Sequence, residues 1–168
     1  MKIHTLLVIL ASAVTVSTII ILSFLAKDIT LFEDYISDLG VSEYAIIFNP
    51  ALMTAGILVM PFALRIYKKD RYLSLLIFAS AAALAGVGIF TEASELHGPI
   101  SGAFFLLSLI AMPYAGVKDK SNFGKLSVAL SAIGLIGLIF INPLIEALEV
   151  FLIAAWLAFF AYRNDKLY

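Results

Sequence analysis

The sequence predicts an all-α integral membrane bundle of six transmembrane helices, with a short amphipathic helix between helices 1 and 2 on the outer face. Three observations carry this. Hydrophobic residues make up 62% of the 168, and only 14% are charged, against about 25% in a soluble domain. With a mean hydropathy of +1.05, so little polar side chain cannot cover so apolar a core in water. The apolar residues gather in six runs long enough for a bilayer, which takes roughly 20 residues per crossing. Between the runs, cations and acids separate in register with six crossings. The 168 residues therefore read as one transmembrane domain. The chain holds no cysteine, which excludes disulfide and thiol chemistry. A net charge of −1 with no basic stripe gives no footprint for nucleic acid.

Taken in order, residues 6–26 form the first run, without a charge and without a small-x-small cleavage site, and are expected to stay as a span rather than be removed as a signal peptide. Residues 28–50, DITLFEDYISDLGVSEYAIIFNP, carry five of the twelve acids. Thr30 and Glu33 fit a capping box. Phe32, Tyr35, Ile36 and Leu39 fall at i, i+3, i+4 and i+7, with Glu33, Asp34, Ser37 and Asp38 opposite. Gly40 is placed to end such a helix in a left-handed conformation. An interfacial helix over residues 31–39 is expected, lying on the bundle as a lid.

The second span, 50–67, is expected to open with Asn49 as cap and Pro50 as first helical residue. The third, 72–91, is rich in small residues from Ala79 to Gly88, which allow close helix approach in lipid and suggest a central position. The fourth, 99–117, is again opened by proline. The fifth, 126–141, carries a second small face of Ser131, Gly134 and Gly137. The sixth, 144–162, follows an Asn142-Pro143 turn so short that helices five and six should be antiparallel neighbours.

Six crossings place Lys2, Arg65, Lys68, Lys69, Arg71, Lys118, Lys120, Lys125, Arg163 and Lys166 on one side and leave Lys27 on the other. Asp70, Asp119 and Asp165 go with the cations, and the other nine acids go opposite. Short cytoplasmic loops collect lysine and arginine. The expected location is the cell membrane, multi-pass, with both termini cytoplasmic and the acidic loops outside.

The outer end then collects Asp34, Ser37, Asp38, Asn49, Glu92, Glu95 and His97 as candidate ligand-binding residues, with Asn142, Glu146 and Glu149 nearby. Carboxylates and one imidazole can do acid–base work or hold a divalent cation. Asp38 and His97 are the candidate catalytic or ligand pair, with Asn49 and Glu92 orienting. Plainer explanations stand beside these. Asp34 and Asp38 fit the wet face of a surface helix, and Glu146 and Glu149 fit the favourable dipole at a helix start. Glu92 and Glu95, read as ending helix three, have no such excuse. His97 also suits a cap. No cofactor is evident. One outer histidine is too few for a zinc site with three protein ligands, and haem held between His4 and His97 is disfavoured because they lie on opposite sides. G-x-S-x-G, H-E-x-x-H and a phosphate loop are absent. No span centre holds an acid or base, which argues against a proton-coupled carrier.

The order Ser37-Asp38-Leu39-Gly40, Asn49, Gly86-x-Gly88-Ile89-Phe90 and then His97 resembles the prokaryotic membrane proteins grouped as domain of unknown function 998. The resemblance runs from helix one through six. It implies about six spans, with polar residues at Ser37, Asp38, Asn49 and His97, and no particular reaction. Where family members often have proline and an acid after the Gly-x-Phe stretch, Thr91-Glu92 stands here.

The functional expectation is a small polytopic protein with an outward-facing acidic/His pocket for a lipid headgroup or a cation, with catalysis on that ligand as an extension; whether it is an enzyme is left open. The alternative is a non-enzymatic accessory or scaffold subunit, and a small-solute carrier ranks third. Its surroundings are the lipid bilayer, with a lipid or isoprenoid ligand, no nucleic acid, and an oligomer or partner subunit left open.

Overall fold

The computed structural model describes residues 1–167. The side chains of residues 166 and 167 fall outside that description, so Lys166 drops out of the structural account. Among the described residues there are six long helices: α1 (Ile3–Leu25), α2 (Ala45–Ile66), α3 (Arg71–Ile89), α4 (His97–Lys118), α5 (Asn122–Gly137) and α6 (Pro143–Leu167). Each is long and apolar enough to cross a membrane, α5 together with the turn that continues it to Phe140. A 3-10 turn, Leu138–Phe140, tightens the end of α5.

The helices form a ring in chain order: α1 packs on α2, α2 on α3, α3 on α4 and α4 on α5, and α6 closes back on α1. The expected central place for α3 is therefore corrected: it is one stave of the ring, between α2 and α4. Its small face does what such faces do in lipid, where helix association rests on close packing and interhelical hydrogen bonds. A Cβ on Gly56 of α2 would stand 2.7 Å from the Ala85 amide nitrogen of α3. The Ser74 hydroxyl of α3 donates to Ala63 O of α2 at 2.7 Å. Ser80 of α3 and Ser108 of α4 share a hydrogen bond of 2.5 Å. On α5, Ser131 donates to Leu109 O of α4 at 2.8 Å.

Helices α5 and α6 do run beside each other, but large side chains hold them apart. Trp156 stacks on Phe160 at 5.0 Å between centroids and donates its indole N–H to Ser127 Oγ at 2.9 Å. Phe123 meets Phe159 at 5.0 Å. The seam between these helices is the most loosely packed in the ring.

Both chain ends lie at one end of the bundle, where the Lys2 amide donates to Asp165 at 2.9 Å. The acids at this terminal end are each paired: Asp70 with Lys118 (2.5 Å), Asp119 with Arg163 (3.1 Å) and Asp165 with Arg65 (3.4 Å). Among the described residues no ion pair lies at the opposite end, where the α1–α2 connection covers the ring.

That connection departs from the expected helix over 31–39. The Asp34 carboxylate reaches back to the Thr30 amide at 2.8 Å, while the Glu33 and Asp34 amides both donate to Thr30 O. The turn forces Phe32 to a left-handed φ of 77°. Helical structure then runs only as a 3-10 turn, Ile36–Gly40, with Asp38 accepting from the Tyr35 amide at 3.1 Å. Short acidic side chains offered the backbone local partners and displaced the α-helix. In 3-10 geometry i and i+3 share a face, so Ile36 and Leu39 are the pair that buries, against Ile19, Leu22, Phe48, Leu52 and Ala147. Phe32 and Tyr35, expected on the same face, stay exposed. Gly40 is not left-handed. Its lack of a side chain answers a close approach instead, because a Cβ there would come within 2.9 Å of Asn49 Oδ1.

Candidate functional site: a polar pocket under the lid

Helix α2 starts five residues before the expected Pro50, at Ala45, because the run Ala45–Phe48 is itself apolar and helical. Asn49 is thus not a cap. Its side-chain amide donates to Gly40 O at 2.9 Å and ties the lid to α2. At the other side of the lid, the Ile36 amide donates to Glu146 Oε2 of α6 at 2.6 Å. Tyr44 adds a third tie, donating its hydroxyl to the end of α1 at Leu25 O, 3.1 Å away.

Helix α3 ends at Ile89, so Glu92 and Glu95 lie in the connection to α4 rather than at a helix C-terminus. The dipole puzzle raised by the sequence disappears. Glu95 points to solvent. Glu92 turns toward the lid. Partial burial raises its pKa above the ordinary carboxylate value, and a hydrogen bond and charge from Asp38 push the same way, while His97 and the Ser37 hydroxyl pull it partly back. Asp38 and Glu92 thus stand close together, one on the lid and one on the α3–α4 connection.

His97 opens α4. Its Nδ1 lies 2.8 Å from Phe90 O. A carbonyl only accepts, so Nδ1 donates the hydrogen in this bond. Nε2 is the nitrogen left for the cavity that His97 lines.

That cavity, about 530 Å³, lies between the lid, α4, the α5 end and α6. Its lining combines polar side chains, Ser37, Glu92, His97, Ser101 and Glu146, with apolar ones, Phe105, Leu106, Leu138 and Ile141. Gly98 and Gly102 line the α4 side, and a Cβ at either would meet nothing within 4 Å, so they leave room rather than permit contact. Beneath it lie two small voids, about 40 and about 50 Å³, each sharing walls with the next and leading down the ring axis past Thr15, Leu84 and Phe104 toward Trp156.

Of the sequence candidates, Ser37, Asp38, Glu92 and His97 are brought together, and Glu146 joins them. Asp34 is used by the turn at Thr30, Asn49 by Gly40, and Asn142 caps α6 by accepting from the Ile145 amide at 3.1 Å. Glu149 is 3% exposed and faces Gly137 of α5, away from the pocket. Among the described residues no hydrogen bond joins Asp38 to His97; the Asp38 carboxylate accepts from the Tyr35 amide and His97 Nδ1 is taken up by Phe90 O. Ser101 and Gly102 were missed, although His97, Ser101 and Phe105 stand at i, i+4 and i+8, one stripe of α4. Among the described residues no group of three or more His, Asp or Glu side chains converges as a metal site.

Six apolar helices in a ring, with a polar lid over one end, define a multi-pass membrane protein. The chain belongs to the family described as protein of unknown function (DUF998), whose model matches residues 9–163. No curated protein and no solved structure shows significant similarity to it.

Proposed function

We propose that this is a cell-membrane protein with both termini cytoplasmic, which binds an amphiphile in its outward-facing lid-end pocket. The carrying observation is the mixed lining of the pocket, with polar groups at Glu92, His97 and Glu146 and apolar ones at Leu106, Leu138 and Ile141. A polar head would sit against the former, and a lipid or isoprenoid tail would lie against the latter. The polar lining is rich in acceptors and carboxylates, which favours a head that carries an amine or several hydroxyls over a bare phosphate. The same geometry supports acid–base chemistry on that head, with His97 Nε2 as base and Glu92, whose pKa is raised by partial burial and by Asp38, as proton donor.

The test is lipid retention. Protein purified in mild detergent and measured by native mass spectrometry should keep one lipid species in stoichiometric amount. Gly102→Leu, which fills the pocket where there is open space, should lose it while remaining folded. Retention of the same lipid by Gly102→Leu would overturn the proposal.

A further inference from the structure

A second recess, of about 520 Å³, opens at the terminal end of the ring. Its rim carries four cations, Lys69, Lys118, Lys120 and Arg163, and two carboxylates, Asp70 and Asp119. Its floor is apolar and aromatic, with Leu73, Phe123 and Phe160. Cations that only fix topology could sit anywhere along these loops. Here Lys2, Arg65, Lys68, Arg71 and Lys125 lie off the recess, while Lys69, Lys118, Lys120 and Arg163 surround it.

The two carboxylates are already engaged. Asp70 accepts from the Leu73 amide (3.1 Å), from Tyr114 Oη (3.2 Å) and from Lys118. Asp119 accepts from the Ser121 amide (2.9 Å) and from Arg163 Nη2 (3.1 Å). Their hydrogen-bond donors hold both carboxyls below the ordinary range; for Asp70 this outweighs burial, which acts in the opposite sense. They remain charged and pin Lys118 and Arg163 in place. The guanidinium of Arg163 lies over the Phe123 ring, 5.0 Å from its centroid. Only Nη2 donates to Asp119 and Ser121 among the described residues, which leaves Nε and Nη1. Helix α5 starts at this rim, and its unpaired first-turn amides add positive potential.

We propose that this recess is a binding site for a phosphate-type oxyanion, held by Arg163 and Lys120 with Lys69 and Lys118 around it. The net rim charge of four cations less two carboxylates, +2, suits a singly or doubly charged anion. Its position at a span boundary and its apolar floor suit the phosphodiester of an anionic lipid, with acyl chains leaving over Phe123. Basic pockets between helices at a membrane surface recognise such headgroups. Free phosphate would present the same oxygens.

The test uses the chain's single tryptophan. Trp156 stacks on Phe160 at 5.0 Å, and Phe160 floors the recess, so indole emission reports on occupancy. The detergent-solubilised full chain is titrated with dihexanoyl phosphatidylglycerol, dihexanoyl phosphatidylcholine and inorganic phosphate at constant ionic strength, with calorimetry on the same samples. Phosphatidylglycerol should give a saturable response and phosphatidylcholine a much weaker one. Lys120→Gln should weaken phosphatidylglycerol binding about fivefold, the effect of one cation near an anionic head, and Arg71→Gln, off the recess, should not. A matching response to inorganic phosphate assigns the site to the free anion; its absence assigns it to the lipid. Equal binding of the two lipids, equal effects of Lys120→Gln and Arg71→Gln, or no saturable binding would overturn the proposal.

Discussion

The link between Glu146 and the lid can be broken by one substitution and read at one amide. Glu146 Oε2 accepts the Ile36 N–H at 2.6 Å in a partly buried setting, and Ile36 itself is 6% exposed. Glu146→Ala removes the acceptor and gives the amide no water in exchange while the lid is closed. A hydrogen bond contributes about 0.5–1.5 kcal/mol, and an orphaned buried amide costs about 1–3 kcal/mol. At about 1.4 kcal/mol per factor of ten, the cost of the orphaned amide should make local opening of the lid about 5 to 150 times more frequent. Glu146→Gln keeps an acceptor oxygen and should fall nearer the wild type. Hydrogen exchange followed by mass spectrometry on a peptide over residues 32–39 reads this directly, with peptides from α2 and α3 as internal reference. Unchanged exchange at Ile36 in Glu146→Ala would refute the latch. So would equal acceleration across the whole bundle, because the effect would then be global rather than local.

Three further outcomes follow from the packing and the charges. Gly56→Val should lower the thermal midpoint, because the added atoms meet the α3 backbone at Ala85; overpacking of this kind costs about 1–3 kcal/mol. Gly102→Leu, in open space, meets no backbone and should lower the midpoint less than Gly56→Val in the same melt. Glu92 has a raised pKa, so the folded protein holds that proton more tightly than the unfolded chain does. Its contribution therefore favours folding at low pH and is lost as pH rises from the ordinary carboxylate range through the raised value. Glu92→Gln should flatten that part of a stability-against-pH curve measured by thermal melting in detergent.

The spans were legible because burial in lipid demands long apolar runs and nothing else in the chain imitates them. Their boundaries were less so. Pro50 looked like a helix start, yet the helix takes in Ala45 to Phe48 first and accepts proline in its second turn. The lid was misread for a different reason. Its i, i+3, i+4, i+7 pattern is real in the sequence, but Asp34 and Asp38 each found a backbone amide within four residues, and that local competition is invisible to a periodicity count. The candidate site was half legible. Grouping the polar residues by side found Ser37, Asp38, Glu92 and His97 together. What each side chain touches depends on loop geometry, so Asn49 became a tie to Gly40, and the carboxylate that reaches the lid is Glu146 of α6. The stripe of His97, Ser101 and Phe105 on α4 was there to be read.

The most direct test of the whole account is the side from which the lid can be reached. The chain has no cysteine to remove, so Ser37→Cys and Lys120→Cys each supply a single thiol at opposite ends of the ring. In intact cells treated with a membrane-impermeant maleimide, the account predicts that Cys at 37 is labelled and that Cys at 120 is labelled only after permeabilisation. Labelling of position 120 from outside with protection of position 37, or labelling of both from one side, would contradict it.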